Sequence, residues 1–81
     1  MKVRQRQIEV LLDQQGEPAS FSWPGQREVV AEIIDKWWEG GRWWAGEGEM
    51  IVYRLLTRRG GLYEIHFHSG EGTWWLDRVF D

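Results

Sequence analysis

Tyr63, Ile65 and Phe67 alternate with Glu64, His66 and His68 between two glycine-bearing turns, and this period of two recurs along the chain. Ile8, Val10 and Leu12 alternate with Gln7, Glu9 and Leu11, and Ala19, Phe21 and Trp23 with Ser20 and Ser22. Successive side chains on a strand point to opposite faces, so such segments fold with one face on a core. Turn residues separate them: Asp13 to Pro18, Pro24-Gly25, Glu39 to Arg42, Ala45 to Glu49, Arg58 to Gly61 and Ser69 to Gly72. Pro24-Gly25 suits the two central positions of a type II turn, and Gly60-Gly61 can take positive φ in a hairpin. The pattern predicts an all-β fold, or a mainly β one with a single short helix. About six antiparallel strands form a meander curled into a small barrel, which removes exposed edges.

One stretch is ambiguous. Between Val30 and Trp38, the apolar residues at 30, 33, 34, 37 and 38 also fit one face of a helix. Its β-branched content favours a strand with a bulge or a short helical turn. Strand alternation predicts an inward set of Ile8, Val10, Phe21, Trp23, Val30, Ile33, Val52 or Tyr53, Tyr63, Ile65, Phe67, Leu76 and Phe80.

With 81 residues, one domain over 1–81 is expected, and a domain of this size hides only roughly 60–65% of its unfolded surface. Seven Trp, three Phe and two Tyr supply the bulk that a small core needs, since each ring buries about 150–250 Å². There is no Cys, which excludes a disulfide framework and thiolate zinc. No run approaches the roughly 18 apolar residues of a membrane span, and the start lacks a signal-peptide apolar stretch, so a cytoplasmic protein without membrane partners is expected.

Charge bears on partners. Ten Lys+Arg against thirteen Asp+Glu give a net charge of −3, which argues against coating nucleic acid by bulk electrostatics. All the basic residues except Lys2 and Lys36 are arginine, which favours planar, stacked or bidentate contacts.

No catalytic arrangement emerges. Ser20, Ser22 and Ser69 have no nucleophile elbow, and the glycines lack phosphate-loop spacing. His66 and His68 could share a metal at strand spacing i and i+2, but no further ligands complete the set, so neither metal nor cofactor is expected and both read as solvent-side polar residues. An enzyme is not expected.

The doublets Trp37-Trp38, Trp43-Trp44 and Trp74-Trp75 carry the functional reading. On a strand, one member of each doublet faces in and the other out. Outward tryptophans pack beneath loops and arginine stems, or they form a recognition surface, since Trp and Arg dominate interface hot spots. The candidate binding residues are Trp38, Arg42, Trp43, Trp44, Arg54, Trp75 and Arg78.

Trp43-Trp44-Ala45-Gly46, Val52-Tyr53-Arg54-Leu55, Leu62-Tyr63-Glu64-Ile65-His66 and Trp74-Trp75-Leu76-Asp77-Arg78-Val79-Phe80-Asp81 together resemble the C-terminal end of ImuB-type proteins. These are bacterial relatives of Y-family DNA polymerases that serve in mutagenic translesion synthesis. The whole chain, with Pro18-Ala19-x-Phe21-x-Trp23, is similar to a family of short bacterial proteins of unknown function. The resemblance implies a non-enzymatic accessory module in lesion bypass or DNA repair that binds a protein partner, such as a mutagenesis or repair polymerase component. The polymerase carboxylates lie outside the matching part. Two other readings stay open: a single-stranded DNA or RNA binder using exposed Trp and Arg, and a structural domain that homodimerises through its Trp face.

Overall fold

The computed structural model describes residues 2–40 and 48–80. Six strands follow in chain order: β1 Lys2–Leu12, β2 Pro18–Trp23, β3 Gln26–Glu39, β4 Met50–Thr57, β5 Leu62–His68 and β6 Thr73–Phe80. Each pairs antiparallel with the next, and β1 pairs with β6, closing the barrel. The described residues contain no helix, and hence none long and apolar enough to cross a membrane. Trp43 and Trp44, the middle doublet, lie outside the described residues.

The turns follow from local chemistry. Gly25 takes φ +86° in the β2–β3 turn, a value that glycine reaches without the Cβ penalty and that Pro24 before it sets up. Asp13 organises the β1–β2 loop, its Oδ1 accepting from the backbone N–H groups of Gln15 and Glu17.

Alternation fills the barrel. Ile8, Phe21, Tyr53, Leu55, Ile65 and Leu76 form the buried core, with Val10, Trp23, Val30, Ile33, Ile51, Tyr63, Trp74 and Val79 packed against it. Its aromatic rings make mutual contacts: Phe21 meets Tyr63 edge-on at 5.2 Å and Phe67 lies 4.9 Å from Trp74. Such pairs contribute about 0.5–1.5 kcal/mol beyond their burial.

Two departures from simple alternation matter. In β3 the register shifts between Val30 and Glu32 and again between Ile33 and Asp35. Each shift inserts one residue, so the inward positions run 30, 33, 36 and 38, a spacing near three that imitates a helix. Residues 31–38 are strand throughout, and the inserted Ile34 is left exposed. In β6, Ile65 pairs with Leu76 while Glu64 pairs with Arg78, leaving Asp77 as the inserted residue. The phase inverts beyond it: Val79 packs on the core and Phe80 turns outward, so the inward assignment of Phe80 is corrected. Of the alternatives at 52 and 53, Tyr53 is the core residue.

A carboxylate also lies inside the barrel. Glu28 stands opposite Phe21 and is 2% exposed. Gln26 donates to its Oε2 and Arg59 Nη1 lies 4.0 Å away, while Oε1 has no partner.

At the mouth of the barrel the Lys36 ammonium lies 5.1 Å from the Trp38 ring, 5.4 Å from the Tyr53 ring and 3.2 Å from Glu17 Oε1. Burial opposes the charge on Lys36, but hydrogen bonding and attraction to Glu17 and Tyr53 outweigh it and hold its pKa above 10.5. Burial, chiefly, raises Tyr53 above 10.0, against the lowering effect of Lys36. Both groups therefore bind their protons more tightly when folded. Their stabilisation is complete below about pH 10 and is lost as pH climbs through the raised values. Urea unfolding midpoints should be flat from pH 8 to 9.5 and fall above pH 10, and Lys36→Met with Tyr53→Phe should flatten that fall.

Gly48 sits against the β5–β6 turn, where a Cβ would come within 2.5 Å of Gly70 N and 2.9 Å of Ser69 Oγ. Ser69 also donates to Glu49 O through both its N–H and its Oγ. Gly48→Ala should push this turn away and lower stability by about 1–3 kcal/mol, read as a drop in melting temperature.

Candidate functional site

The outer face of β3 to β6 forms a lattice of aligned rows, because residues paired in register share a face. One row runs Trp37, Val52, His66 and Trp75. The next runs Asp35, Arg54, Glu64 and then Asp77 and Arg78. Met50 and His68 border the first row, and Leu56, Leu62 and Phe80 border the second.

This outward surface is partly closed. Val52 is 2% exposed although it points away from the core, flanked in its row by Trp37 and His66. Glu64 and His66 are buried as well. The reading of His66 as a solvent-side residue is therefore corrected: His66 and Glu64 point outward but are sheltered, which alternation cannot reveal because it fixes direction, not cover.

Buried charge here is compensated. Arg54 Nη2 lies 3.2 Å from Glu64 Oε2, and Arg78 Nε is 3.9 Å from Glu64 Oε1. The Arg54 guanidinium is also sandwiched, 5.6 Å from the Trp37 ring and 5.5 Å from Phe80, contacts worth about 0.5–2 kcal/mol each depending on desolvation. Its Nε is buried without a hydrogen-bond partner. The planar cation is thus held by two rings and one carboxylate. Arginine, not lysine, suits that slot.

His66 Nδ1 lies 2.8 Å from both oxygens of Asp77. A carboxylate only accepts, so Nδ1 carries a proton. The sequence gap of eleven residues hides this pair, and the β6 insertion at Asp77 makes it. His68 differs: its Nδ1 accepts from the Glu71 N–H at 3.2 Å. Its neutral ring then keeps the proton on Nε2, which does not favour a shared metal. Among the described residues no group of three His, Cys, Asp or Glu is placed to hold one.

The sequence-predicted binding residues separate accordingly. Arg54, Trp75 and Arg78 share the outer face. Trp38 pairs with Ile51 on the inward side and projects at the barrel mouth, 59% exposed, under Lys36. Trp37 is the outward member of its doublet. Arg42, Trp43 and Trp44 lie outside the described residues. Trp37, Phe80, His66 and Asp77 join the face unforeseen; only the Trp37-Trp38 doublet signalled one of them, and one β3 insertion without the other would have reversed its phase.

Clefts lined by described residues open on the surface. One of about 510 Å³ lies where β1 parts from the β2–β3 hairpin, lined by Gln7, Ile8, Glu9, Ser22, Trp23 and Pro24. Another, about 340 Å³, belongs to the outer face and is lined by Met50, His66, His68, Glu71 and Trp75. Both fall in the size range of small binding pockets.

No curated protein and no solved structure is significantly similar to the chain. A family profile described as a domain of unknown function, DUF6504, matches residues 1–81. With that match over its whole length, the chain belongs to the DUF6504 family.

Proposed function

We propose that this DUF6504 chain is a non-enzymatic interaction module that docks a protein partner on the outer face of β3 to β6. The observation that carries the reading is the row Trp37, Val52, His66 and Trp75 beside the ring-clamped Arg54. These outward residues contribute nothing to the barrel interior, yet they bring together aromatic and arginine side chains, the types that dominate interface hot spots. The resemblance to the C-terminal end of ImuB-type proteins suggests a partner class: components of a bacterial mutagenesis or repair polymerase assembly, met in the cytoplasm during translesion synthesis.

Nucleic acid fits this face less well. The net charge is −3, and both arginines of the charged row lie beside Glu64, which offsets the attraction that phosphate binding requires.

A photo-crosslinking residue placed at 37 or 75, with Val29 on the outer side of β3 as control, tests the proposal. Adducts with another protein, concentrated at 37 and 75 and persisting in 1 M salt, are expected. Equal yields at position 29 would overturn the reading. So would adducts that nuclease removes, which would favour single-stranded nucleic acid, or adducts of twice the chain mass alone, which would favour a homodimer.

A further inference from the structure

We infer that the cleft beside Trp75 receives a basic side chain, arginine or lysine, of the protein partner; this rests on the outer-face reading above and names what that face recognises. Asp77 holds the proton of His66 on Nδ1. In neutral His66 the remaining nitrogen, Nε2, therefore offers only a lone pair. The side chain is 11% exposed and lines the cleft, and among the described residues none donates to Nε2. Nε2 is not among the buried atoms left without a partner, so it opens on the cleft as an acceptor that a donor entering from outside can reach.

The walls and rim point to the same chemistry. The indole N–H of Trp75 donates to Thr73 Oγ1 at 3.0 Å, which fixes the ring as a wall of the cleft. An indole face attracts cations more strongly than other aromatic rings do. Glu71 lines the cleft, and Glu39 and Glu49 lie at the same end, opposite and next to Met50. Among the described residues that line it, none is lysine or arginine. An anionic group would face those carboxylates, and an apolar one would leave His66 Nε2 and Glu71 unanswered. An ammonium or guanidinium satisfies the lone pair, the carboxylate and the ring together.

An NMR titration of the whole chain with the peptides acetyl-Gly-Arg-Gly-amide, acetyl-Gly-Gln-Gly-amide and acetyl-Gly-Glu-Gly-amide, in low salt near pH 7.5, tests this. The arginine peptide should shift the imidazole signals of His66 and the indole signal of Trp75 saturably. The glutamine peptide should bind at least tenfold more weakly, and the glutamate peptide not at all. Trp75→Ala should weaken the arginine peptide by about two- to thirtyfold. Glu71→Gln should weaken it by about two- to fivefold, and Glu32→Gln, at the far end of the face, should leave it unchanged. Equal binding of the glutamine peptide, or no saturable shift at His66 and Trp75 in a folded sample, would overturn the inference. Crosslinking at position 37 without peptide selectivity would sink only the cleft's ligand class, whereas failure of both would sink the face itself.

Discussion

Phe21→Ala is expected to bring this domain to the edge of unfolding at ambient temperature. Phe21 is 1% exposed and its ring lies 6.0 Å from Trp23 and 5.2 Å from Tyr63. It also sits on the seam by which β2 joins β1 to β3, paired with Val10 of β1 on one side and Glu28 of β3 on the other. Truncating a buried phenylalanine costs about 3–5 kcal/mol. A chain of this size has a total stability of roughly 4–12 kcal/mol. One term opposes the loss: water entering the cavity would solvate Glu28, whose Oε1 lacks a partner. An unsatisfied buried polar group costs about 1–3 kcal/mol, so even full relief leaves a net destabilisation. Opening this seam would expose the edges of β1 and β3, so aggregation on warming should accompany the loss. Urea unfolding followed by tryptophan fluorescence measures the effect, and a change below about 1 kcal/mol would mean that the seam does not depend on this ring.

The adjacent tryptophans of β6 should behave in opposite ways. Trp74 faces the interior, 5.6 Å from Tyr53 and 4.9 Å from Phe67, whereas Trp75 pairs with His66 on the outer face. Trp74→Ala should lower stability by about 3–5 kcal/mol. Trp75→Ala removes a half-covered ring and a hydrogen bond to Thr73, and should cost about 1 kcal/mol while weakening arginine-peptide binding by about two- to thirtyfold and lowering crosslinking from position 37. Paired thermal melts and binding measurements separate the two, and equal loss of stability in both variants would show Trp75 to be a structural ring rather than a recognition one.

Much of the fold was legible because strand alternation and turn chemistry are local. Ile8, Phe21, Ile65 and Leu76 could be assigned inward from period two alone, and Pro24-Gly25 from the φ values that its turn demands. The candidate site was legible only in part. Arg54, Trp75 and Arg78 share the outer face, whereas Trp38 projects at the barrel mouth and Trp37 is the outward member of its doublet.

Composition and pattern by themselves determined the class of the fold, the number of strands and most of the core, since each depends on residues two or four apart in one segment. Only the tertiary structure decided the phase of β3 and of the end of β6, because an inserted residue is visible solely against the partner strand it fails to match. The two β3 insertions offset each other and leave Trp37 outward, while the single β6 insertion turns Phe80 outward onto Arg54 and brings Asp77 to His66. The shelter of His66 and Val52, the burial of Glu28 and the acidic rim around Trp75 likewise arise from strands brought together by closure, a long-range event that local periodicity does not encode.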